Sequence, residues 1–105
     1  MPQKIAFLFP GQGSQYIGMG LEMKEEYPEA REIFEQVDDI CAKPLSKLCH
    51  EGPMDELTLT VNLQPAVTAV NMACLSALKK AEIASKVSAG HSLGEYGAQI
   101  GRAHV

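Results

Sequence analysis

The pentapeptide Gly90-His91-Ser92-Leu93-Gly94 has the form Gly-x-Ser-x-Gly. That form suits a sharp strand-to-helix turn that exposes a serine hydroxyl as a nucleophile. Glycines two before and two after Ser92 remove the Cβ atoms that would clash where strand and helix nearly touch. The helix that follows points its free N–H groups back at the site, where they stabilise negative charge. The backbone N–H of Leu93, just after the serine, is the expected donor to an oxyanion. The chemistry implied is nucleophilic catalysis by a serine hydroxyl, with negative charge held by backbone N–H groups. The competing reading is a plain turn in which the serine only caps the helix.

A second glycine-rich loop, Gly11-Gln12-Gly13-Ser14-Gln15, follows the first apolar run. Tyr16 stands where a dinucleotide fingerprint needs its third glycine, and no Gly-Lys-Ser/Thr follows, so neither phosphate motif applies. The loop does lie at the C-terminal end of a predicted strand, where open α/β sheets place their ligands.

A serine nucleophile needs an imidazole within hydrogen-bond reach. The chain has His50, His91 and His104. His91 is a poor base, because a residue adjacent in a strand projects away from the Ser92 side chain. His50 is expected in a loop far from either strand end, and His104 lies in the tail. Cys49-His50 has no second pair at metal-ligand spacing, and the expectation is that no metal is bound.

The elements that must position these loops are legible from periodicity. Residues 4–9, KIAFLF, are apolar at nearly every position, as in a strand covered on both faces of a parallel sheet. Leu21 and Met23 mark a short helix. From 28 to about 42, Ile33, Phe34, Val37, Ile40 and Cys41 form one helical stripe, begun by Pro28 and stopped by Pro44. A short helix with Leu45 and Leu48, a Gly52-Pro53 turn and a single turn at 55–57 follow. Residues 62–80 read as a long buried helix with Asn62 as N-cap and Pro65 in its first turn. Its predicted inner face is Val67, Val70, Cys74, Leu75 and Leu78. Residues 86–89 form a second strand. The order β, several α, β, α is that of an α/β fold with parallel strands and flanking helices.

Composition narrows the function classes. The chain has 105 residues, 46% of them hydrophobic and 21% charged, which suits one small soluble domain. Its net charge of −4 argues against nucleic acid or an anionic membrane as partner. Glu22, Glu25, Glu26, Glu29, Glu32, Glu35, Asp38 and Asp39 crowd one segment, read as a solvated helix face. Cys41, Cys49 and Cys74 are odd in number and lack a Cys-x-x-Cys pair, so a reducing, cytoplasmic setting is expected. The stretch 65–78 is broken by Thr68, Asn71 and Ser76 and falls short of the ~20 apolar residues of a membrane span.

Three segments in order, FPGQGSQ near the N-terminus, LQPA in the long helix and GHSLGEY around Ser92, closely resemble the malonyl-CoA:acyl-carrier-protein transacylases and the acyltransferase domains of fatty-acid and polyketide synthases. The resemblance covers residues 1–98, roughly the first third of that catalytic domain. It implies the N-terminal part of a hydrolase-like acyltransferase domain. Ser92 would take malonyl from coenzyme A as an ester and pass it to the phosphopantetheine thiol of the acyl carrier protein. Gln12 and Leu93 would supply the oxyanion N–H groups, and Gln64 and His91 would shape the substrate pocket. No metal or redox cofactor is implied, and the parent enzyme would be monomeric. Met1, close ahead of the glycine loop, leans towards a free-standing enzyme.

In that family the catalytic histidine and the arginine that binds the malonyl carboxylate lie well downstream of the serine. Neither Arg31 nor Arg102 matches the latter position. The 105 residues alone are therefore expected to be inactive. A serine esterase or lipase shares the serine turn but gives no reason for GQGSQ or LQPA. A non-catalytic carrier-docking piece is the other alternative. Finally, QIGRAHV at 99–105 departs from the apolar helix expected beneath the turn. The codons ATC-GGA-AGA-GCA-CAC-GTC, one frame of a common sequencing adapter, encode Ile100 to Val105. The tail is expected to be non-native.

Overall fold

The computed structural model describes residues 5–11, 13–83, 87–90 and 94–103. Along them run β1 (Ala6–Phe9), α1 (Leu21–Glu26), α2 (Pro28–Cys41), α3 (Leu45–Glu51), α4 (Met54–Thr58), α5 (Thr60–Lys80), β2 (Val87–Gly90) and α6 (Gly94–Ala103). β1 and β2 pair in parallel, in register from Ala6↔Val87 to Phe9↔Gly90. A parallel pair requires a long crossover, and all five helices from α1 to α5 lie within it. The α/β class expected from the sequence is the class observed.

α5 is the axle. Its Leu63, Ala66 and Val67 join Met19, Cys49 and Leu57 in one cluster. Its Ala69 and Ala73 pack on Ala30 and Phe34 of α2 in a second. Leu75 meets Phe7 and Phe9 of β1 and Ala98 of α6 in a third. The expected inner face is thus shifted: the alanines are buried, while Val70, Cys74 and Leu78 are only half-buried. Small side chains let α2 approach closely, and the larger ones face a groove beside β1.

α5 also differs from expectation at its start. It begins at Thr60, with Leu59 as N-cap, so Pro65 sits inside the helix rather than in its first turn. The backbone carbonyl of Leu59 accepts the amides of Asn62 and Leu63 at 2.9 and 2.7 Å. Asn62 instead donates its Nδ2 to the Glu56 carbonyl at 2.9 Å, tying α4 to α5. With 21 residues and mean hydropathy 1.2, α5 is long and apolar enough, by length and composition, to cross a membrane. The shorter 65–78 stretch underestimated it. In this fold it is the central packing helix.

Three further expectations are corrected. β1 is not covered on both faces: Phe7 and Phe9 are buried, but Leu8 is 77% exposed. Ile40, expected on the inner stripe of α2, is 82% exposed, because nothing among the described residues covers that side of the last turn. His50 lies in α3, not in a loop, with its ring edge-on to Phe34 at 5.3 Å. The remaining helix limits follow the sequence signals. Pro28 begins α2, and left-handed Ala42 ends it ahead of Pro44. Asp38 then receives the Ser46 amide at 2.9 Å and its hydroxyl at 2.6 Å, supplying the first turn of α3 with an acceptor.

Candidate functional site

The register pair Phe9↔Gly90 puts the C-terminal ends of both strands side by side. The glycine-rich loop follows one of these ends and the serine turn follows the other. α6 then starts directly on the first strand. A Cβ on Gly94 would overlap the Phe9 carbonyl oxygen and approach the Phe9 carbonyl carbon to 2.6 Å and the Pro10 oxygen to 2.8 Å. One turn on, a Cβ on Gly97 would stand 2.6 Å from the Phe9 ring. The glycine at the end of the Gly-x-Ser-x-Gly pattern is there because strand and helix backbones touch.

The first loop is held from below and from within. Asn71 of α5, 6% exposed and a buried polar side chain in the apolar interior, donates its Nδ2 to the Pro10 carbonyl at 3.0 Å. Ser14 Oγ donates to the Gly11 carbonyl at 2.7 Å, and the Gly13 amide donates to Gln15 Oε1 at 2.8 Å. Beside the loop a groove of 370 Å³ runs between β1 and α5, lined by Phe9, Pro10, Ser14, Val70, Asn71 and Cys74 among others. The sequence reading missed Asn71 and Ser14 as site-building residues. The available signal for Asn71 was one amide in an otherwise alanine-rich helix centre.

Of the residues singled out from sequence, Gln64 is described. It is exposed on α5. It precedes Asn71 by seven residues, two helical turns, so it shares the Asn71 side of the helix about 10 Å along the axis. Gln12, His91, Ser92, Leu93 and His104 lie outside the described residues. His50 does not gather with the strand ends. Its Nε2 is buried without a hydrogen-bond partner among the described residues, and burial first, then Lys24, lowers its pKa, against opposing effects of Asp38, Glu51 and Glu25.

The thiols are free. Burial, with some help from Asp38, pushes Cys49 up to about 11, and burial raises Cys74. These thiols are therefore protonated and poor nucleophiles near neutral pH. Among the described residues no three His, Cys, Asp or Glu side chains converge to hold a metal ion. The arrangement that remains is two glycine-bearing loops leaving adjacent parallel strand ends beside the start of a helix.

Residues 6–105 match the acyl transferase domain model. The malonyl CoA-acyl carrier protein transacylase of Bacillus subtilis (strain 168) is 50% identical over 97 residues, covering 92% of this chain and 31% of that protein. The crystal structure of malonyl CoA-acyl carrier protein transacylase from Clostridium perfringens superposes with a TM-score of 0.88 at 40% identity, over 98% of this chain and 33% of that one. A malonyl-transacylase solved in complex with its type II PKS acyl-carrier protein gives a TM-score of 0.87 at 35% identity, over 94% of this chain and 32% of that one. The chain spans about a third of the length of the relatives it matches.

Proposed function

The chain belongs to the acyl transferase domain family, and we propose that it forms the nucleophile-bearing part of an enzyme that moves malonyl from coenzyme A to an acyl carrier protein. Ser92 Oγ attacks the malonyl thioester carbonyl, its proton passes to a base, and coenzyme A leaves as the thiol. The phosphopantetheine thiol of the carrier protein then attacks the serine ester, takes the malonyl group as a new thioester, and the serine recovers its proton. The backbone N–H groups of Gln12 and Leu93 hold the oxyanion in both steps. Gln64 and His91 shape the pocket. No cofactor beyond the two substrates enters this route.

The observation that carries the reading is the Phe9↔Gly90 register with Gly94 seated on Phe9. Gln12 follows Phe9 by three residues and Ser92 follows Gly90 by two, so the two loops issue from one place. The names of the relatives support malonyl as the acyl group. The relative solved with its carrier protein supports that acceptor.

The base and the carboxylate-binding arginine are assigned to the part of the domain beyond these residues, so the 105-residue chain is inactive by itself. The enzyme works as a cytoplasmic monomer, apart from nucleic acid and membrane.

The test uses a chimera in which residues 1–98 replace the matching part of the Bacillus subtilis transacylase. Radiolabelled malonyl-CoA is expected to label Ser92 of the chimera and to leave Ser92→Ala unlabelled. The isolated chain is expected to show no turnover. Labelling by a simple ester in place of malonyl-CoA would overturn the reading in favour of an esterase.

A further inference from the structure

The carbonyl of Gly11 is held by a side chain rather than by its own turn. Ser14 reaches it twice, through its backbone amide at 3.4 Å and through Oγ at 2.7 Å. The amide contact is longer than an ordinary N–H···O bond of about 2.9 Å, whereas the hydroxyl contact has the usual O–H···O length. Gly11 is buried, and a buried carbonyl needs a partner. The hydroxyl of Ser14 supplies it from an exposed position.

The loop has few other supports. Gly13 is left-handed at φ 101°, and among the described residues nothing lies within 4 Å of where its Cβ would stand. Its amide donates to Gln15 Oε1 at 2.8 Å, and the Pro10 carbonyl accepts from Asn71 at 3.0 Å. These two bonds act on the peptide units Gln12–Gly13 and Pro10–Gly11. The unit between them, Gly11–Gln12, is the one whose carbonyl Ser14 holds. A peptide unit is planar, and in its trans form the N–H points opposite to the C=O. An oxygen fixed at Gly11 therefore constrains the amide hydrogen that shares its plane, and that hydrogen belongs to Gln12. A hydroxyl has a single hydrogen, so Ser14 cannot make this bond and also donate to a substrate.

We propose that Ser14 is a positioning residue: by holding the Gly11 carbonyl, its hydroxyl aims the Gln12 amide at the oxyanion that forms when Ser92 is acylated and again when it is deacylated. This deepens the transacylase reading and rests on it. An oxyanion donor acts on the transition state more than on bound substrate, so a misaimed one slows the chemical step and leaves affinity alone.

The chimera of residues 1–98 with the Bacillus subtilis transacylase is prepared unaltered, as Ser14→Ala and as Ser14→Thr. The single-turnover rate of Ser92 labelling is measured against the concentration of radiolabelled malonyl-CoA. Ser14→Ala is expected to lower the maximal rate roughly tenfold or more, with the half-saturating concentration within about twofold. Ser14→Thr keeps the hydroxyl and is expected to stay within about threefold of the unaltered rate. In the isotope-labelled 105-residue chain, Ser14→Ala is expected to move the Gly11 carbonyl-carbon and Gln12 amide-nitrogen signals while circular dichroism is unchanged.

An unchanged maximal rate in Ser14→Ala would overturn the proposal, as would unmoved Gly11 and Gln12 signals. A loss confined to the half-saturating concentration would also overturn it, making Ser14 a substrate contact. Equal losses in Ser14→Ala and Ser14→Thr would show that the hydroxyl is not what acts. With label on the unaltered chimera, each of these results leaves the transacylase reading standing. No label on the unaltered chimera would refute that reading and the proposal with it.

Discussion

Asn71 donates its Nδ2 to the Pro10 carbonyl at 3.0 Å, joining the centre of α5 to the end of β1 across 61 residues of sequence. The bond fixes the chain where it turns into the glycine-rich loop. A buried amide in an apolar helix costs desolvation unless it is paired, and this one is paired with the backbone that the proposed oxyanion loop grows from. Asn71→Leu keeps the branched heavy-atom skeleton and removes the donor. It is expected to destabilise the chain by about 1–3 kcal/mol in urea unfolding. It is also expected to speed amide exchange at Gly13 and Ser14. Unchanged exchange there would mean that the loop holds itself through Ser14 and Gln15 alone.

The contact between Gly94 and Phe9 makes a sharper prediction about the serine turn. A methyl at Gly94 would meet the carbonyl of Phe9, a backbone group that cannot move without breaking the β1–β2 register. Gly94→Ala is expected to cost about 3 kcal/mol or more. Gly97→Ala meets only the ring of Phe9, which can rotate, and about 1–2 kcal/mol is expected. Thermal or urea unfolding of the two variants measures the order; equal losses would show that α6 shifts as a body to relieve both contacts.

These two contacts mark the boundary of what the sequence makes legible. Gly94 could be read directly, because a strand and helix that touch demand a missing Cβ and leave a glycine at fixed spacing from Ser92. α2 was equally plain, since the Ile33, Phe34 and Val37 stripe is bracketed by Pro28 and Pro44. Asn71 could not be assigned a role, because its partner is a carbonyl far away in sequence. His50 reads as a loop residue because α3 is seven residues long with two leucines, too short for periodicity to show. The start of α5 was misplaced because Asn62 resembles a cap, whereas its amide serves α4. Leu8 reads as part of a covered strand, yet the described residues supply helices to one face of the sheet alone.

His50 predicts an acid-side loss of stability. Its Nε2 is buried without a partner among the described residues, and burial, followed by Lys24, lowers its pKa from 6.5 despite the nearby carboxylates of Asp38, Glu51 and Glu25. The folded state therefore prefers neutral imidazole, and the unfolded state takes up the proton first as pH falls. The contribution is complete above the unfolded value of about 6.5 and is shed as pH drops from there towards the lower folded value. His50→Gln is expected to lose less stability than the unaltered chain between pH 7.5 and pH 5. Parallel urea midpoints across that range would refute the assignment.

Cys49 and Cys41 should separate by reactivity. Cys49 is 1% exposed and its thiol is raised to about 11, while Cys41 is only half-buried. At pH 8 a maleimide is expected to modify Cys41 and to leave Cys49 untouched until denaturant is added. Peptide mapping by mass spectrometry distinguishes the sites. Prompt labelling of Cys49 would mean that the cluster it shares with Met19, Leu57 and Leu63 opens readily.

Leu8 tests the uncovered face of the sheet. It projects opposite to Phe7 and Phe9 and is 77% exposed, and its register partner Ala89 is exposed as well. A two-stranded sheet whose apolar face is uncovered among the described residues is a template for association. Leu8→Thr introduces a β-branched residue suited to a strand and removes most of the apolar surface. Its effect on unfolding free energy is expected to stay within about 0.5 kcal/mol, as at other exposed positions. Its sedimentation and light scattering are expected to show less self-association than the unaltered chain at the same concentration. A loss of about 2 kcal/mol would instead mean that Leu8 is covered in solution, because burial of a leucine side chain is worth that much.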